Sequence, residues 1–162
     1  GKAGNSEAGH LNIGAGRVVL QDDMRLDQAM KDGSFYKNEI FNQIMDDTLR
    51  GGNDLHLIGL LTEKSSHGSI DYPLALLKLA KEKGIKQVYL HLILDGRSTE
   101  PGSAPDLILK TQGLMDEIGL GEIVTTIGRG IALDRDGNYD RTEKAFNALT
   151  SDYGHKVNIR VV

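Results

Sequence analysis

From residue 55 onward one pattern repeats along the chain: a short apolar run, a polar loop, then a stretch whose apolar residues recur at helical spacing. That alternation limits the fold more than any other feature. The run Leu55-His56-Leu57-Ile58-Gly59-Leu60-Leu61 is nearly all apolar, as buried parallel strands are. A polar loop over residues 62–71 follows. Pro73 then suits the first turn of a helix with Leu74, Leu77 and Ala80 inward and Gly84 as its stop. Residues 87–94 read as the next strand, and Leu107, Ile108, Thr111, Leu114, Met115 and Ile118 form a helical stripe. Residues 122–127 give a third strand, 142–149 a further helix, and 157–162 a last strand. Strand, loop and helix in repetition specify an α/β fold: a mostly parallel sheet with helices on both faces. In such sheets ligands gather at the carboxyl ends of the strands.

Upstream, Ile40, Phe41, Ile44, Met45 and Leu49 share one helical face, with Ser34 as candidate N-cap and Gly51-Gly52-Asn53-Asp54 as stop. Val18-Val19-Leu20 is too short to classify, and the polar residues 21–25 read as a crossing between two lobes. A chain of 162 residues can bury one core. Cysteine is absent, which excludes disulfides and thiolate chemistry. The net charge of -4 argues against a general nucleic-acid surface, so an anion site must be a local cluster of arginines. With no long apolar run and no signal-peptide pattern, the sequence reads as cytoplasmic, away from membranes.

The opening segment departs from this pattern. Gly4-Asn5-Ser6-Glu7-Ala8-Gly9-His10 places a small nucleophile beside a glycine that leaves room for an incoming tetrahedral group. A helix beginning just after Ser6 would favour a phosphate there through its free N–H groups and dipole. Ser6 as a plain helix cap is the alternative. The order Gly-Asn-Ser-Glu-x-Gly-His-Leu-x-x-Gly-Ala-Gly-Arg, from Gly4 to Arg17, resembles the catalytic-serine segment of the cofactor-independent phosphoglycerate mutases, members of the alkaline-phosphatase-like metalloenzymes.

The resemblance implies that Ser6 is a metal-bound nucleophile, taking a phosphoryl group from one glycerate hydroxyl and returning it to the neighbouring one. It further implies two divalent ions, manganese by preference, with Ser6 as the one candidate ligand in this chain, and no need for 2,3-bisphosphoglycerate. The chain opens without methionine and leaves no room for a strand before Ser6, so it reads as part of a longer protein. By family analogy residues 1–20 belong to an otherwise missing phosphatase-like domain. Residues 21–162 form an α/β phosphotransferase domain that is truncated at its C-terminus. The expected partners are that missing domain and a phosphoglycerate substrate, in a monomer.

Three loops after strands carry the remaining candidates. In Leu94-Asp95-Gly96-Arg97-Ser98, Arg97 offers a planar fork for carboxylate or phosphate, with Asp95 able to cap the turn. The loop resembles the family's substrate loop, so Arg97 and Ser98 map to substrate-binding positions, with Ser98 standing where the family has aspartate. The segment Gly128-Arg129-Gly130-Ile131-Ala132-Leu133-Asp134-Arg135-Asp136 resembles the one carrying two further substrate arginines, Arg129 and Arg135. Two guanidiniums this close need an anion or carboxylates between them, and Asp134 and Asp136 are candidate partners. In the loop over residues 62–71, His67 aligns with a substrate histidine, Ser69 replaces a second histidine, and Lys64 is a further positive group. Arg97, Arg129, Arg135 and His67 are therefore expected at one anion site. The implied reaction interconverts 3-phosphoglycerate and 2-phosphoglycerate through a phosphoserine. A divergent metal-dependent phosphatase or phosphotransferase acting on another small phospho-acid, and a non-catalytic anion-binding module, are the alternatives.

Overall fold

A computed structural model describes residues 6–63, 65, 67–151 and 154–156. Three strands, β1 (Leu55–Leu61), β2 (Val88–Leu94) and β3 (Glu122–Gly128), form a parallel sheet in the order β1-β2-β3. The helices are α1 (Ser6–Ala15), α2 (Asp22–Asp32), α3 (Glu39–Gly51), α4 (Asp71–Lys83), α5 (Ala104–Ile118), α6 (Arg129–Ala132) and α7 (Tyr139–Thr150). The α/β class expected from the sequence holds. The anticipated strand at residues 157–162 lies outside the described residues.

The crossover helices α4 and α5 touch each other and pack on the sheet. Each neighbouring pair of strands is joined through one such helix, as parallel pairing requires. Leu55, Leu57 and Leu61 on β1 and Val88, Leu90 and Leu92 on β2 are buried against Leu74, Leu77, Ala80 and Met115. Fully burying a leucine or methionine contributes about 1.5–3 kcal/mol, so this layer holds the sheet together. At Gly59 an added Cβ would lie 3.0 Å from Pro73 Cγ, which shows how closely α4 seats on β1.

The other edge of the alternation differs from the sequence reading. Burial along β1 is one-sided: His56 and Ile58 are exposed, although the run is nearly all apolar. On this face three side chains link the strands. His56 Nδ1 lies 2.9 Å from His91 Nε2, and His91 Nδ1 lies 2.8 Å from the Thr125 hydroxyl. A bulge makes this possible. The register steps from Leu90↔Ile123 to His91↔Thr125, leaving Val124 as the extra residue. Burial first, then the charge of neighbouring His56, hold the His91 imidazole below its ordinary range.

The structure adds local detail to the sequence reading and corrects one expectation. Residues 22–32 form a helix, α2; acidic Asp22 and Asp23 suit its first turn and Gly33 ends it in the left-handed conformation. Its sequence carries too little apolar periodicity to announce this. Asn38, not Ser34, caps α3, its side chain accepting from Phe41 N–H at 3.1 Å. Of the α3 stripe, Met45 is buried and Phe41 half-buried, whereas Ile40, Ile44 and Leu49 are exposed.

Candidate active site

Because all three strands run parallel, the loops leaving β1, β2 and β3 emerge at one edge of the sheet. His67, Arg97, Ser98, Arg129 and Arg135 all follow those strands. A cleft of about 370 Å³ opens there, between the loop after β2, the start of α5 and the turn into α6. Leu94, Asp95, Gly96, Ala104 and Arg129 are among its walls.

Asp95 organises this edge. Its carboxylate is completely buried. One oxygen pairs with Arg129 Nη1, and the other accepts from Ser98 N–H at 3.0 Å. Buried carboxylates persist only when paired and hydrogen-bonded, and Asp95 meets both conditions. The cap expected of Asp95 is present, and the same side chain reaches across to the next loop. Arg129 is about a quarter exposed and gives its remaining guanidinium N–H groups to no other acceptor among the described residues. Within the same turn Gly96 N–H donates to Thr99 Oγ1 at 3.1 Å.

Of the candidate residues, Arg129 alone lines the cleft. Arg97 and Arg135 are exposed and form no ion pair among the described residues. Asp134 does not pair with either substrate-type arginine. It holds Arg141 at 3.2 Å and accepts from Asn138 Nδ2 and Asn138 N–H, each at 2.9 Å, which pins the turn into α7. The Asn138 side-chain hydrogen bond is the main reason the Asp134 carboxyl sits below the usual range. Asp136 is exposed, and its N–H donates to Asp134 Oδ2.

The β1–α4 loop folds back as a tight turn through the Ser65↔Gly68 bridge, with exposed His67 on it and His67 N–H donating to Ser65 Oγ at 3.2 Å. Ser69 is buried; its hydroxyl donates to the Glu63 carbonyl at 2.8 Å and accepts from Asp71 N–H. That serine shapes the loop instead of facing a ligand. Glu63 pairs with Lys110 of α5, and Lys64 lies outside the described residues.

Ser6 is exposed at the first position of α1. His10 stands one turn on, its Nδ1 3.4 Å from Ser6 Oγ and 2.6 Å from the Ser6 carbonyl. A carbonyl oxygen only accepts, so in this arrangement His10 Nδ1 donates to the Ser6 carbonyl. The pair of divalent ions does not fit the residues in view. Among the described residues no three His, Cys, Asp or Glu side chains converge to hold a metal. A single hydroxyl cannot satisfy ions that take about six donors each.

The Asp95–Arg129 pair is what reading the sequence missed, together with the His56–His91 pair. Asp95 was visible as a turn former, and each histidine sits between two leucines in a strand. Neither signal says which residue lies opposite.

A family model described as BPG-independent PGAM N-terminus matches residues 26–161. A 2,3-bisphosphoglycerate-independent phosphoglycerate mutase of Clostridioides difficile is 46% identical over 158 residues, covering 98% of this chain and 31% of its own. The enzyme of that name from Clostridium perfringens is 44% identical over 161 residues, again 31% of its own length. A phosphoglycerate mutase of Leishmania mexicana, solved at low cobalt concentration, superposes with a TM-score of 0.80 at 30% identity, covering 90% of this chain and 28% of that one. The chain thus spans about a third of the length of the curated relatives it matches. On the extent of these matches, the chain belongs to the family of 2,3-bisphosphoglycerate-independent phosphoglycerate mutases.

Proposed function

We propose that this chain supplies the serine nucleophile and the glycerate-binding edge of an enzyme interconverting 3-phosphoglycerate and 2-phosphoglycerate. The observation that carries the reading is Arg129, held by buried Asp95 in a cleft at the carboxyl edge of a parallel sheet, in a chain of this family. Arg129 binds the anionic end of the substrate, and Arg97 and Arg135 reach it from the neighbouring loops, with His67 and Ser98 on the same edge. Ser6 Oγ accepts the phosphoryl group from one glycerate hydroxyl and releases it to the adjacent one. Residues 1–20 belong with a phosphatase-like domain and residues 21–162 with the substrate-binding domain. The divalent ions, manganese by resemblance, are held by residues beyond those described, and no step of this chain is assigned to them. A cytoplasmic monomer is part of this proposal; no described helix is long and apolar enough to cross a membrane.

The test is a chimera in which this chain replaces its 46% identical counterpart in the Clostridioides difficile enzyme. Conversion of 3-phosphoglycerate with manganese present, lost in the Ser6→Ala chimera, is the expected result. A well-folded chimera that binds phosphoglycerate without turning it over would favour an anion-binding module, and one that only releases phosphate would favour a phosphatase.

A further inference from the structure

Two loops must cooperate at this edge, and they are joined through one side chain. Asp95 lies 34 residues before Arg129 in sequence, yet its carboxylate pairs with that guanidinium and accepts the Ser98 N–H. Among the described residues Asp95 is the one carboxylate in an ion pair with Arg129. Free arginine side chains carry several rotatable bonds, and an unheld guanidinium at a cleft mouth would sample many directions. A carboxylate gripping one Nη leaves the rest of the planar fork fixed and open.

We propose that Asp95 is the positioning residue of the substrate cleft. It aims the free edge of Arg129 at the ligand's anionic group, and through Ser98 it holds the turn that carries Arg97 in the same register. It touches neither substrate nor reacting atoms. This rests on the reading of the cleft as the phosphoglycerate site. Charge alone argues the opposite sign, because a carboxylate beside an anion site weakens anion binding. The two accounts therefore separate cleanly. If Asp95 orients Arg129, removing its charge weakens anion binding although the cleft becomes more positive. If Asp95 merely occupies the core, removing its charge strengthens anion binding or leaves it unchanged.

The experiment measures binding of 3-phosphoglycerate and of inorganic phosphate to the Ser6→Ala chimera by titration calorimetry, with this chain otherwise unaltered and with Asp95→Asn, Arg129→Ala or both. Asp95→Asn keeps the volume and an acceptor for Ser98. It should weaken 3-phosphoglycerate binding by about 10- to 100-fold, the loss typical when the outer group orienting a ligating side chain is removed. In the Arg129→Ala background the same change should cost nothing further, since the group it aims is gone. Asp95→Asn binding as tightly as the otherwise unaltered chimera, or a further loss in the Arg129→Ala background, would overturn the proposal. Should Asp95→Asn alone fail to fold, Arg129→Ala against the double variant, where no charge is left buried, decides on the same criterion. If the otherwise unaltered chimera binds neither probe, the phosphoglycerate reading of the cleft falls, and positioning falls with it. If it binds and Asp95→Asn is neutral, positioning falls alone.

Discussion

Gly121, at the turn into β3, gives a graded test of how closely the helices seat on the sheet. Its φ is +96°, a conformation that side chains with a Cβ adopt at a cost of about 1–2 kcal/mol. A Cβ there would also lie 2.8 Å from Met115 Cε and 2.9 Å from Leu77 Cδ1, both core side chains no more than 2% exposed. The methionine end can swing aside, but Leu77 is packed from every side, and forcing an extra methyl into such a site costs about 1–3 kcal/mol. Alanine recovers part of this by restricting the unfolded chain, so Gly121→Ala should destabilise by about 2–4 kcal/mol in all. Gly119, two residues earlier, also has positive φ, +71°, but a Cβ there meets only the flexible Lys81 ammonium at 3.2 Å. Gly119→Ala should therefore lose only the conformational part, about 1 kcal/mol. Gly113 sits inside α5 with nothing within 4 Å of an added Cβ, and Gly113→Ala should stabilise by about 0.5–1 kcal/mol. Urea unfolding of the three variants, followed by far-ultraviolet circular dichroism, reads all three signs. A Gly121→Ala variant within about 0.5 kcal/mol of the unaltered chain, or one no worse than Gly119→Ala, would show that α4 and α5 do not close on that turn as described.

The His91 imidazole, held neutral by burial and by His56, gives a pH dependence. The unfolded chain takes up this proton near the ordinary value of about 6.5, the folded one only at lower pH. Stability contributed by neutral His91 is therefore intact above that value and lost as pH falls below it toward the depressed one. Urea midpoints between pH 8 and 5 should show this fall (values roughly spanning the imidazole range), and His91→Leu should flatten it; an unchanged slope in that variant would assign the effect to another group. In the chimera, Ser6→Ala should remove mutase turnover by many orders of magnitude with phosphoglycerate binding preserved, and substantial residual turnover would displace Ser6 as nucleophile. Arg97→Ala and Arg135→Ala, whose side chains are exposed and unpaired among the described residues, should each lower kcat/KM of the chimera by more than about tenfold without moving the urea midpoint. Losses that follow the midpoint instead would make both arginines structural.

Much of this molecule is set by signals that act within a few residues. Leu55–Leu61 and Val88–Leu94 are strands because apolar and β-favouring residues run together there, and Gly84 and Gly119 end helices because each adopts the left-handed conformation that stops one. The parallel order follows from helices between strands, and with it the placement of His67, Arg97, Arg129 and Arg135 at one edge. What only the tertiary structure decided involves partners far apart in sequence. Helix α2 has charges at its ends and no clear stripe, so its tyrosine contact from α4, Tyr72 OH on the Asp23 carbonyl at 3.3 Å, is invisible along the chain. The near-continuous apolar character of β1 promised burial on both faces, but which face is covered depends on which helices arrive, and Ile58 is left exposed. One extra residue in β3, Val124, moves Thr125 under His91; without that bulge the alternation would turn its hydroxyl to the opposite face. The same reasoning governs the site. Asp95 and Arg129 were both conspicuous in the sequence, each with a nearer candidate partner, and folding joined them because adjacent parallel strands bring their loops side by side and a buried carboxylate takes the cation within reach.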